Sequence, residues 1–249
     1  GKGVPRDYKE AVRWYRLAAE QGDASAQSNL GLMYDKGEGV PEDDREAVKW
    51  FRLAAAQGNA MAQTKLGFMY VKGKGVPRDY KEAVRWYRLA AEQGYAEAQS
   101  NLGFMYDKGE GVPEDDREAA KWYRLAAEQG NALAQTKLGF MYAKGEGVSR
   151  DYKEAFKWVR MAAEQGDALA QFTLGAMYHE AKGGLRDYKE AYIWYSLAVA
   201  SGIDDKKVSI YQNEIEQKLS RAERSAAQRE AARRWKEIAE RLVNKTTLP

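Results

Sequence analysis

The chain has 249 residues, 44% hydrophobic and 31% charged, and its 40 basic and 37 acidic side chains leave a net charge of only +3. A nearly neutral surface gives no general pull on polyanions, the lack of cysteine excludes thiolate metal sites, disulfides and thiol nucleophiles, and a single histidine, His179, excludes a two-histidine metal site. No run of about eighteen apolar residues occurs, so no membrane span is expected.

Self-similarity decides the architecture. Tryptophan recurs every 36 residues at Trp14, Trp50, Trp86, Trp122, Trp158 and Trp194, and glycine keeps the same step from Gly22 to Gly202. Six units fill residues 1–216 and leave a 33-residue tail. A rhythm of 72 lies on top, with Asn29 and Asn101 alternating with Lys65 and Lys137, as if a pair of units had been duplicated.

Each unit reads as two helices. The first runs from Asp7 to Gln21 and opens on Asp7 and Glu10, the spacing of a capping box in which the aspartate accepts from free amides and the glutamate reaches back. Ala11, Trp14, Tyr15 and Ala18 form its apolar stripe, and Gly22 stops it. The second runs from Ala24 to about Lys36, with Ala26, Leu30, Gly31 and Tyr34 on one face, and a KGEGV loop with Pro41 leads onward. Neither helix can bury its stripe alone, so neighbouring units must stack, which makes the fold an all-α solenoid. After Gly202 the pattern changes. A modified helix is expected over about 204–218, then one from Ser220 and Glu223 to about Val243. Its stripe of Trp235, Ile238, Ala239 and Leu242 would cover the last open face. Residues 1–219 are thus the array, its first unit incomplete, and 220–249 the capping helix and tail. Gly1 falls inside a loop, so either the array once began earlier or the uncovered first helix finds a partner, a weak dimer being the alternative to a monomer.

The recurring A-x-A-Q-x-x-L-G-x-M-Y-x-K-G-x-G-V-P, followed by D-Y-K-E-A-x-x-W-Y-R-L-A-A-E-Q-G, resembles the Sel-one-like repeat (SLR) of the tetratricopeptide class over residues 1 to about 202. Departures are Ser149 at the loop proline and AKGGL at 181–185. The resemblance implies a right-handed solenoid of 36-residue helix pairs and a bacterial scaffold or adaptor that binds a protein or peptide partner. It implies no cofactor, and a setting in the periplasm, envelope or outside the cell ahead of the cytoplasm. Cysteine-rich relatives linked to β-lactam binding and hydrolysis supply an enzyme alternative, against which the absent cysteines and nucleophile constellation speak. A self-assembling structural array is a third reading.

Function should lie where the units differ. In the second helix the varying positions are those of Ser25, Ser28, Asn29, Leu32 and Asp35, which share one face. By resemblance to the tetratricopeptide class that face lines the concave peptide groove. Leu32, Phe68, Phe104 and Phe140 occupy one of its positions, and Met61, Leu133 and Leu169 another. These side chains are either groove anchors or packing between units. Asn29, Lys65, Asn101 and Lys137 lie beside them and present hydrogen-bond donors suited to a peptide carboxylate or carbonyl, unless they are simply solvated. The glycine loops lack the strand and lysine-threonine ending of a phosphate loop, and positive φ in a helix–helix turn accounts for them. His179 with Glu180 could make a base but has no accompanying nucleophile, so a tolerated surface residue is the plainer reading. Asp43-Asp44 and Asp115-Asp116 sit at helix starts, where the macrodipole favours negative charge without any metal. Residues 218–245 carry nine cations and four acids, net +5 against −2 for the rest. Such a helix can touch nucleic acid or anionic lipid, but a docked cap with one wet face explains it, and no nucleic-acid partner is expected.

Overall fold

The structure, a computed structural model, describes residues 7–247, and every regular element among them is a helix. In chain order these are α1 (Tyr8–Glu20), α2 (Ala24–Lys36), α3 (Asp44–Ala56), α4 (Ala60–Lys72), α5 (Tyr80–Glu92), α6 (Ala96–Lys108) and α7 (Asp116–Glu128). There follow α8 (Ala132–Lys144), α9 (Tyr152–Glu164), α10 (Ala168–Glu180), α11 (Tyr188–Ala200), α12 (Asp205–Glu216) and α13 (Arg221–Thr247). Consecutive helices pack pairwise into an all-α solenoid of repeats. The chain divides into two compact units, Gly1–Leu125 and Ala126–Pro249.

The aspartates do cap the first helices: Asp43 Oδ1 accepts from the Arg45 and Glu46 amides at 2.9 and 3.0 Å, and Asp79 and Asp151 repeat the bond. The expected return bond from the glutamate is absent. The Asp43 amide instead donates to the Tyr34 carbonyl at 3.0 Å, and Asp79, Asp151 and Asp187 do the same to Tyr70, Tyr142 and Tyr178, tying each first helix to the helix before it. The displaced glutamate serves the indole one turn on or a cation. Glu10, Glu154 and Glu190 accept from Trp14, Trp158 and Trp194 at 2.8–3.1 Å. Glu46 takes Lys49 at 3.0 Å, and the Trp50 indole N–H is buried without a partner. A reciprocal capping box occurs at Ser220 and Glu223.

The indoles lean on the neighbouring repeat. Trp50 joins a cluster with Val12, Ala19, Ala26 and Leu30, and Trp86 packs against Ala47, Phe51, Ala54 and Leu66 of the preceding one. Trp14, on α1, is 60% exposed. Between repeats, a ring of each first helix lies on a glycine of the second helix before it. A Cβ at Gly67 would come within 2.7 Å of the Tyr87 ring, so only glycine admits that approach.

Buried glutamines run between repeats. The amide of Gln63 donates to the Ala55 carbonyl at 3.1 Å while its oxygen accepts from Gln93 at 2.8 Å. Gln27 with Gln57 and Gln135 with Gln165 make the same rung. The last rung fails. The position that should hold the donor to Gln171 is Ser201, too short to reach, and both Gln171 Oε1 and Ser201 Oγ are buried without partners.

The closing helix is present, but it lies along α11 rather than across α12. Ile238 and Leu242 pack over Gly166, and Ala227, Ala231 and Ile238 are buried with Tyr192 and Trp194. On α12, Ile210 stays 68% exposed.

Candidate functional site

Within Gly1–Leu125 the varying positions of α2, α4 and α6 separate into two kinds. Ser28, Thr64 and Ser100 are buried, so this position belongs to the core and not to the expected face. The others remain accessible. Asn29, Met61, Lys65 and Asn101 are half-buried, and Phe68 and Phe104 are exposed. Leu32 packs against the core around Ala47, Phe51 and Leu66, which makes it a packing residue. The Lys72 ammonium lies over the Phe68 ring at 5.7 Å. Lys65 is not a free cation: its Nζ meets Glu97 Oε1 at 2.9 Å, so one of the expected clamp residues spends its charge inside the chain.

Within Ala126–Pro249 the corresponding face of α8 and α10 carries Leu133 and Leu169, 53% and 46% exposed, with Lys137 and Phe140 half-buried beside them. Phe140, Ala143, Val159, Thr173, Ala176 and Met177 line a cavity of about 280 Å3.

The polar candidates resolve otherwise. His179 is half-buried rather than on the open surface, with Nε2 3.6 Å from Glu214 and its ring edge-on to Tyr188 at 5.8 Å. Glu180 pairs with Lys182. Asp44 faces Lys74 at 3.5 Å, and among the described residues no three His, Asp or Glu side chains gather to hold a metal. A second cavity of about 470 Å3 is lined by Arg160, Arg233, Arg234 and Arg241 together with Glu164, Glu190 and Glu237. Its cations are largely used within the chain. Arg234 donates to Glu190 at 2.7 and 2.9 Å and to Glu230 at 2.8 Å, and lies over the Trp194 ring at 5.5 Å. Bonds from Arg233 and Arg234 hold the Glu230 carboxyl down at about 2. The basic tail is thus in large part an ion-paired cap.

Two features escaped the sequence. Arg16, Arg52 and Arg88 donate to the hydroxyls of Tyr34, Tyr70 and Tyr106 at 2.6–2.9 Å, a pair spaced 18 residues in three repeats that the tryptophan period obscures. The buried glutamine rungs could have been found from the fixed interval between A-x-A-Q and E-Q-G.

A family model, the Sel1 repeat, matches six successive segments, residues 1–23, 24–59, 60–95, 96–131, 132–167 and 168–203. The chain belongs to the Sel1 repeat family. It is 40% identical to a protective antigen present in uropathogenic Escherichia coli strains that displays the SLR fold, with a TM-score of 0.82. That match covers 94% of this chain and 50% of the antigen, so the chain spans about half the length of that protein. A Sel1 repeat protein from Oxalobacter formigenes is 38% identical over 78% of each chain, with a TM-score of 0.74. A Sel1 repeat protein of Klebsiella pneumoniae, 21% identical with a TM-score of 0.52 over 82% of this chain and 99% of its own, shares the fold. No curated protein matches the chain. Sel1 repeats are in general protein-interaction scaffolds that bind protein partners. No helix among the described residues is long and apolar enough to cross a membrane.

Proposed function

We propose that this Sel1 repeat protein is a non-catalytic adaptor that holds an extended or helical segment of a partner protein against the second helices of its repeats. The observation that carries the reading is the repeated exposure of large apolar side chains at two positions of those helices, Phe68 and Phe104 at one, Leu133 and Leu169 at the other. Aromatic and aliphatic groups beside polar ones supply the anchors of peptide interfaces, individual contributions reaching about 2 kcal/mol or more. Asn101 and Lys137 offer donors next to them. The stacked cores hold the face rigid, so the partner segment bears most of the ordering cost. An enzymatic reading would need a nucleophile, a base and a water-excluding site in one place, and His179, committed to Tyr188 and Glu214, supplies none of these.

Selection of displayed random dodecapeptides on the full chain, followed by calorimetric titration of the enriched peptides, tests the reading. Replacing Phe68, Phe104 and Phe140 by serine should weaken binding at least tenfold while the helical circular dichroism is retained. Equal affinity for the variant and the parent, or no enrichment at all, overturns it.

A further inference from the structure

Two positions that carry rings elsewhere in the repeat shrink together in Ala126–Pro249. Phe51, Tyr87 and Tyr195 lie on Gly31, Gly67 and Gly175, whereas Gly139 meets Val159. On the second helix the position of Phe68, Phe104 and Phe140 becomes Ala176. Val159 and Ala176 both line the cavity of about 280 Å3, so the chain withholds two rings from one place. The cavity is open to solvent, so its apolar wall faces water instead of packed side chains.

A second observation concerns charge. Lys65 is neutralised by Glu97, 32 residues later. The residue in the same place relative to Lys137 is Leu169, 46% exposed, and among the described residues Lys137 has no ion-pair partner. It lies one turn before Phe140 on α8. The lysines that line the cavity are already matched, Lys144 with Glu146 at 3.3 Å and Lys182 with Glu180. The unmatched cation is Lys137, outside the lining itself but one turn from Phe140, which belongs to it. Charge-assisted bonds to a carboxylate suit that cation.

We infer that this cavity is the seat of an aromatic side chain of the partner segment, and that a carboxylate adjoining that residue pairs with Lys137. The assignment rests on the adaptor reading and gives the partner its chemistry: a ring that replaces the rings missing at Val159 and Ala176, next to an acidic group, either an Asp or Glu side chain or the chain end.

The test is methyl NMR of the full chain titrated with N-acetyl-phenylalanine. N-acetyl-phenylalaninamide lacks its carboxylate, N-acetylglycine lacks its ring, and N-acetyl-Asp-Phe-amide moves the acid to a side chain. Saturable shifts are expected at the methyls of Val159, Ala176 and Met177 with the first probe, at least threefold weaker binding of the amide, and none with acetylglycine. Whichever of the first and last probes binds tighter shows whether a chain end or an acidic side chain is preferred. Ala176→Phe, or Val159→Tyr should the first not fold, fills the cavity and should abolish the shifts. Lys137→Gln should bring the acid and the amide to equal affinity. Absence of saturable shifts at those methyls, or their survival in the filled variant, overturns the inference. If the selected dodecapeptides bind Ala176→Phe as tightly as the parent, the cavity is wrong and the adaptor reading stands. If no peptide is selected yet acetyl-phenylalanine seats there, the adaptor reading fails and the cavity stands.

Discussion

The repeats of residues 24–125 and those of residues 132–203 obey one period but fill it differently. In the first set the junctions are regular: Phe51 and Tyr87 cover the glycines of the second helices before them, those helices end on the left-handed glycines Gly37, Gly73 and Gly109, and glutamine rungs are complete at Gln27 and Gln63. In the second set Val159 and Ala176 leave a cavity, Ala181 takes the left-handed cap position at φ 60°, and the rung at Gln171 is broken. That difference is what a repeat array allows, because each unit answers mainly to its neighbours.

Four measurements sharpen the contrast. Trp86→Ala should cost about 3 kcal/mol in denaturant unfolding, since it opens a cavity against the Phe51 and Leu66 cluster. Trp14→Ala, removing a side chain 60% exposed, should stay within about 0.5 kcal/mol. Equal losses for the two would mean that indole packing between repeats is not what holds the array. Ala181→Gly should stabilise by about 1 kcal/mol, because it relieves the left-handed conformation of a residue with a Cβ. A gain in the midpoint is the sign to look for, and a loss would show that the alanine methyl makes a contact worth more than the strain.

Ser201→Gln should restore the donor to Gln171 Oε1 and add up to about 1 kcal/mol, with slower amide exchange in α10 and α11. An unchanged midpoint and exchange rate would mean that the two orphaned atoms are already satisfied by solvent. The smallest effect concerns α13. Glu230 is held below its ordinary range by Arg233 and Arg234, so its contribution is present above about pH 4.5 and is lost as pH falls toward about 2. Amide hydrogen exchange of α13 should speed up through that window in the parent and less so in Glu230→Gln. Identical acid profiles would show that this carboxylate does not hold the helix down.

Much of the fold was legible because it repeats. Trp, Gly and Asp at a constant interval fix helix length, cap and stop, and α1 to α11 fall where those residues predict. The glutamate of each D-x-x-E was misread because its local partner, the cap amide, is taken by a tyrosine carbonyl from the preceding helix, as Asp43 is by Tyr34. Nothing nearby in sequence announces that bond. The candidate face was readable as a list but not as a hierarchy. Ser28 turned out buried, Leu32 is core packing, and Lys65 is matched by Glu97, since all three outcomes depend on side chains roughly one repeat away. Val159 and Ala176 could be seen as departures from the period, yet only the packing of α8, α9 and α10 shows that their losses fall in one place.

The glutamine rungs have a consequence for how such a chain changes length. Each rung joins residues 30 apart, across the boundary between consecutive modules, as Gln27 does with Gln57. Excision of residues 37–72 would bring Gln27 opposite Gln93, an equivalent mate, whereas loss of a partial module would strand both amides in the interior. A change of length by a whole repeat preserves such a rung, and a change by a fraction of one does not.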